Sequence, residues 1–144
     1  AREGQARFPF PESAIPGLNF SFSGLKTSIL YFLKKEVAAN PNFIEENLND
    51  LCASIQTIIV STLMKKLRKA SKETGIREIA IAGGVSANSG LRSTLEEWGK
   101  KEGWNTYIPA FQYCTDNAGM IGVTAHYKFL AGDFCEQDIA PFAR

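Results

Sequence analysis

Histidine occurs once in this sequence, at position 126, and cysteine three times, at positions 52, 114 and 135, with no CxxC spacing. A lone imidazole and an odd, scattered set of thiols argue against a zinc ribbon and a disulfide framework, and for a reducing compartment. Neither sign of charge is in excess: 16 Lys and Arg stand against 15 Asp and Glu. The molecule as a whole therefore does not advertise a polyanion or a membrane surface as partner, and any such partner must be met locally. No apolar run approaches the ~18 residues of a membrane-spanning helix, and the first residues do not read as a charged-then-apolar leader. These features predict a soluble, cytoplasmic chain. GxxxxGK[ST] and HExxH are both absent, which leaves P-loop phosphotransferases and zincin proteases without support. What is present suits one ordinary α/β-sized domain, with 44% apolar and 22% charged residues in a chain of 144. The opening Ala1, set in a polar run, predicts a piece of something longer.

Residues 1–17, AREGQARFPFPESAIPG, hold three of the six prolines and read as an extended connector. LNFSFSG, which follows, alternates like a short strand. Leu25, Ile29, Leu33 and Val37 recur every four residues and predict a helix over that span. After the break at Asn40-Pro41-Asn42, the longest helical pattern runs from about Phe43 to Glu73. Leu48, Leu51, Cys52, Ile55, Ile58, Ile59, Thr62, Leu63 and Leu67 form its stripe, and Gly75 is placed to end it. Cys52 is expected in the core, and the side carrying Lys65, Lys66, Arg68, Lys69 and Lys72 reads as a solvated face. The period then switches from 3.6 to 2. REIAIAG is a strand, NSGLRSTLEEWGKKEG a helix closed by Gly103, NTYIPA a strand, and DNAGMIGVTAHYKFLAG a last helix with Ala118, Ile121, Ala125 and Phe129 on one face. Strand, helix, strand makes a right-handed βαβ unit with parallel strands, so the class is α/β. Three strands are few for a parallel sheet, which predicts partner strands in a missing N-terminal part.

Two stretches carry the chemistry: EIAIAGGVSANSGLR (78–92) and YCTDNAGMIG (113–122). Both sit where a strand feeds a helix, the place where open α/β sheets bind ligands. Gly83 and Gly84 strip the backbone of side chains, and the amides of the following helix attract a phosphate or carboxylate. The Asn88 carboxamide suits a ribose hydroxyl or a base edge, and Asp116 is a carboxylate able to hold a hard cation beside the phosphate. Plainer readings stand alongside: a tight turn with an N-cap at the first stretch, and Asp116, Asn117 or Thr115 as the cap of the last helix. Cys114 has no sequence-adjacent base to activate it, and His126 reads as a surface or packing residue.

FSFSGLKT (20–27), IAGGVSANSGLR (81–92) and YCTDNAGMIG (113–122), in this order and spacing, resemble the C-terminal half of the TsaD family. These are the bacterial tRNA N6-adenosine threonylcarbamoyltransferases, relatives of the KEOPS catalytic subunit and formerly called glycoproteases. The resemblance implies an actin-like ATPase (ribonuclease H-like) lobe with a short, mostly parallel sheet flanked by helices, residues 18–144 forming the second lobe of a two-lobe enzyme. It implies transfer of threonylcarbamoyl from threonylcarbamoyl-AMP to N6 of the adenosine that follows the anticodon, in tRNAs reading codons that start with A. By the same resemblance Asn88, Gly83 and Gly84 bind substrate, Asp116 binds one divalent metal, iron or zinc, and Lys26 lies near tRNA or phosphate. TsaB and TsaE homologues are the implied partners, with no membrane. The family's HxxxH metal ligands are absent from this chain, so the piece is expected to fold but to be catalytically silent alone. The alternatives are an ATP-binding lobe of another actin-like enzyme and the family's older label, a metallo-endopeptidase.

Overall fold

The computed structural model describes residues 1–12 and 15–140; positions 13 and 14 of the connector and 141–144 of the expected lobe lie outside them. Six regular elements follow one another: α1 (Ser23–Ala39), α2 (Phe43–Thr74), β1 (Glu78–Ala80), α3 (Ser89–Glu102), β2 (Asn105–Tyr107) and α4 (Ala118–Leu130), with 3₁₀ turns at Gly84–Ala87 and Phe111–Tyr113. The helix-stop signals act as expected. Gly75 ends α2 and Gly103 ends α3, both in the left-handed conformation, with φ of 72° and 70°. β1 and β2 pair in parallel across α3, in the register Glu78↔Asn105, Ile79↔Thr106, Ala80↔Tyr107.

Period-2 alternation turns Ile79 inward, while Glu78 and Ala80 face out. The core lies between α2, α3 and the inner sheet face, built from Val60, Met64, Ile79, Leu91, Leu95 and Trp104. On the outer face Tyr107 Oη donates to Glu78 Oε2 at 2.6 Å and Asn105 Nδ2 donates to Glu78 Oε1 at 2.5 Å. These bonds, Tyr107 first, hold the Glu78 carboxyl below its usual range, and the Glu78 carboxylate raises the Tyr107 phenol in turn.

The connector has no helix or strand in its described residues, yet it is anchored. Phe8 and Phe10 pack against Phe32 of α1, tilted and edge-on respectively, each with ring centroids 5.5 Å apart, and Phe8 also meets Phe43 at 5.8 Å. Arg7 Nε pairs with Asp50 at 2.6 Å, and the Phe8 amide donates to Ser54 Oγ at 3.1 Å. The basic side of α2 is therefore not simply a solvated face. Lys66 Nζ donates to the Ile15 and Gly17 carbonyls at 2.6 and 2.8 Å, Lys65 pairs with Glu12, and Arg68 Nε reaches Glu102 of α3 at 2.8 Å.

Two expectations need correction. LNFSFSG forms no strand, because among the described residues the sheet has two strands and neither pairs with it; the Phe20 and Phe22 rings pack on each other instead, 5.6 Å apart. Cys52 is exposed rather than in the core. Over its 32 residues α2 changes partners, from the connector and α1 to α3 and β1, and neither set covers the side that Cys52 shares with Leu48, which is 54% exposed. The apolar face of α4 is also uncovered, with Ile121 at 74% and Phe129 at 64% exposure.

Candidate functional site

The loop after β1 begins with a backbone that only glycine adopts readily. Gly83 has φ 78° and ψ 176°, a combination closed to side-chain-bearing residues by steric clash. Its carbonyl accepts from the Ser86 amide at 2.9 Å and from Ser86 Oγ at 2.7 Å, which ties the 3₁₀ turn shut around a buried serine. Gly84 differs in its backbone, which does not take a positive φ, and a Cβ built there, as at Gly83, would meet nothing within 4 Å. The chain's own packing does not require this glycine, and the residues on either side of the Gly83–Gly84 pair, Ala82 and Val85, line an apolar cavity of ≈ 400 Å³ with Ser86 and Leu91.

Asn88 ends the turn and caps α3. Its Oδ1 accepts from the Leu91 amide at 2.9 Å, and its Nδ2 donates to Gln56 Oε1 of α2 at 3.3 Å. The cap reading of this residue is therefore met. A carboxamide has two donors and two lone pairs, so capping leaves it hydrogen-bonding capacity for a ligand. Gln56 was not foreseen from the sequence, where it is one polar residue among the apolar ones of α2. Gly90 admits it: a Cβ there would lie 2.4 Å from Gln56 Nε2.

After β2 the chain turns through Phe111–Tyr113 and buries Cys114, which is 1% exposed, with Sγ 3.6 Å from the Ala110 carbonyl. That burial makes the thiol a packing group. Of the three possible caps for α4, Asn117 takes the role, its Oδ1 accepting from the Met120 amide at 3.2 Å. Asp116 is thereby left out of the helix, exposed, with no hydrogen bond or ion pair to the described residues. It lines an open cavity of ≈ 790 Å³ with Asn117, Met120, Thr124 and Lys128. Among the described residues no three His, Cys, Asp or Glu side chains gather to hold a metal ion. Asp116 offers a single carboxylate, and one carboxylate does not make a transition-metal site. His126 is exposed in the middle of α4, with its ring 5.7 Å from that of Tyr127. Lys26 is exposed on α1, whose packing is against α2.

Asn88 lines neither the ≈ 400 Å³ cavity at Val85 and Ser86 nor the cavity at Asp116, so Asn88 and Asp116 share neither of them. What joins the two loops is Arg92, a second residue the sequence reading passed over. Its Nη1 donates to the Ser86 carbonyl at 3.0 Å and its Nη2 to the Pro109 carbonyl at 2.7 Å. Nη1 also lies 3.7 Å from Cys114 Sγ, and the guanidinium sits 4.3 Å above the centre of the Phe111 ring. A signal for it was available: a cation in the first turn of a helix opposes the macrodipole and needs acceptors elsewhere.

The family model described as TsaD: tRNA N6-adenosine threonylcarbamoyltransferase matches residues 1–123. Among curated proteins of that name, the one from Cytophaga hutchinsonii is 53% identical over 137 residues, covering 95% of this chain and 40% of the relative. That from Christiangramia forsetii is 50% identical over 145 residues, 100% and 43% respectively. That from Salinibacter ruber is 41% identical over 124 residues, 85% and 37%. The chain thus spans about 40% of the length of the curated relatives it matches.

Proposed function

The chain belongs to the TsaD family of tRNA N6-adenosine threonylcarbamoyltransferases, and from that premise we propose that it is the second α/β lobe of a two-lobe enzyme of that activity. The reaction moves threonylcarbamoyl from threonylcarbamoyl-AMP to N6 of the adenosine following the anticodon. N6 attacks the carbamoyl carbon, the bond from that carbon to the phosphate oxygen breaks, AMP leaves, and N6 gives up a proton. No covalent enzyme intermediate is needed.

The observation that carries this reading is the paired arrangement of the two loops. Each leaves the carboxyl end of a parallel strand, one with a bare backbone at Gly84 and an amide side chain at Asn88, the other with a carboxylate that caps nothing. The Gly83–Gly84 backbone and the α3 N-terminus suit the phosphate of an adenylate. Asn88, already held by Leu91 and Gln56, suits its ribose or base. Asp116 would supply one ligand to a divalent metal, iron or zinc, with the other ligands from polypeptide beyond this chain. The chain's own residues do not compose that centre, and the roles assigned to Gly83, Gly84 and Asn88 do not depend on it. No helix of the described residues is long and apolar enough to cross a membrane. A cytoplasmic place and homologues of TsaB and TsaE as partners accord with a tRNA substrate.

Asp116→Ala in the full-length protein tests the assignment. In a strain depleted of its own enzyme, wild type restores threonylcarbamoyl-adenosine in digested tRNA and the variant does not, while metal content of the purified variant falls. Equal restoration by the variant would make Asp116 a loop residue only.

A further inference from the structure

We infer that Arg92 is the positioning residue of this site, a two-pronged link that sets the loop carrying Gly83, Gly84 and Asn88 against the loop carrying Asp116; the catalytic consequence rests on the transferase reading above, the mechanical one does not. The strands are only three residues long, and the backbone ladder between them ends where the Ile81 amide donates to the Tyr107 carbonyl at 3.1 Å. Beyond that point each loop bonds to itself: Ser86 to Gly83 and Asn88 to Val85 on one side, Tyr113 to Ala110 and Cys114 to Phe111 on the other. Among the described residues, the hydrogen bonds that cross from one loop to the other past Tyr107 belong to Arg92.

Three features make this an arginine's task. The planar fork reaches two carbonyls on separate segments at once, through Nη1 and Nη2, which a single ammonium does less well. The guanidinium carbon also lies over the Phe111 ring, so the second loop is held by a cation–π contact as well as by a hydrogen bond. Cys114, 1% exposed, places its Sγ 3.7 Å from Nη1, a further contact of the guanidinium with the second loop. Arg92 itself stands in the first turn of α3, so the link is fixed to the same helix end that Asn88 caps. Asp116 follows Cys114 by two residues, and its place relative to Asn88 is inherited through this link.

The test uses the full-length enzyme as wild type and as Arg92→Lys, which keeps the charge and most of the volume but loses the fork. Three readouts are taken: melting temperature, kcat and KM for threonylcarbamoyl-AMP in tRNA modification, and hydrogen exchange of residues 83–88 and 109–116. The expected result is a nearly unchanged melting temperature, faster exchange in both loops, and kcat lowered about 10- to 100-fold with KM changed far less, the scale on which small misplacements act. A residue that merely stabilised the fold would lower the melting temperature and leave the kcat of the folded fraction intact; that outcome overturns the proposal, as does unchanged exchange in either loop. If wild type itself modifies no tRNA, the transferase reading fails, and the exchange data alone still decide whether Arg92 holds the loops.

Discussion

Gly83 and Gly84 look interchangeable as letters, and their chemistry separates only when the backbone is known. Gly83 adopts φ 78° with extended ψ, where a side chain costs of order 1–3 kcal/mol. Gly84 adopts no such conformation and has open space where a side chain would go. Gly83→Ala is therefore expected to lower the melting temperature, while Gly84→Ala leaves it unchanged and weakens binding of a non-reactive adenylate analogue in the full-length enzyme. Calorimetric titration beside thermal unfolding separates the two, and equal effects of both substitutions would refute the division of labour. A similar limit applied at Thr115, Asp116 and Asn117, three good caps in a row. Sequence could not choose among them, because the choice depends on where the chain leaves the preceding 3₁₀ turn; with Asn117 capping, Asp116 is free for a ligand. Arg92 was readable only as a cation misplaced against a helix dipole, and its acceptors, 6 and 17 residues away, come from folding.

Elements were legible where a local signal sufficed and lost where a partner was required. Asn88 and Gly103 bracket α3 as their types demand, and the alternation in REIAIAG and NTYIPA marks β1 and β2. LNFSFSG alternates as well, but alternation describes a strand only if another strand lies alongside, and among the described residues none does. The long stripe of α2 misassigned Cys52 for a related reason: one helix serving two successive partners buries two partly different faces. α3 also approaches β2 closely. A Cβ on Gly99 would stand 2.6 Å from Thr106 Cγ2, too near for the helix to keep its seat on the strand. Gly99→Ala is expected to destabilise the protein by about 1–3 kcal/mol, the usual cost of overpacking. Adding Thr106→Ser, which removes the obstructing methyl, should return much of that loss in chemical denaturation. No recovery in the double variant would place the strain elsewhere.

At the scale of the whole molecule, the expected shortage of strands and the observed surface agree. The core cluster lies among α2, α3, one face of a two-stranded sheet and Trp104, and α4 has no buried residue at all. Ile121, Tyr127 and Phe129 are each more than 60% exposed, at 74%, 67% and 64%. A helix of 13 residues without tertiary cover is marginal in water, since isolated helices shorter than ~12–15 residues barely hold together. Apolar groups on that scale are covered in a stable protein, and the curated relatives, of which this chain spans about 40%, have the additional polypeptide to do it. Asp116 sits directly before this helix, so the order of the metal-binding side of the proposed site depends on what packs there. In the 144-residue chain alone, amides 118–130 are expected to exchange at nearly unprotected rates, with dye binding to exposed apolar surface and no transferase activity. In the full-length enzyme the same amides should be protected. Strong protection of α4 in the isolated monomer would show that the helix is stable without a second lobe, and the predicted silence of the chain would then have to come from the missing metal ligands alone.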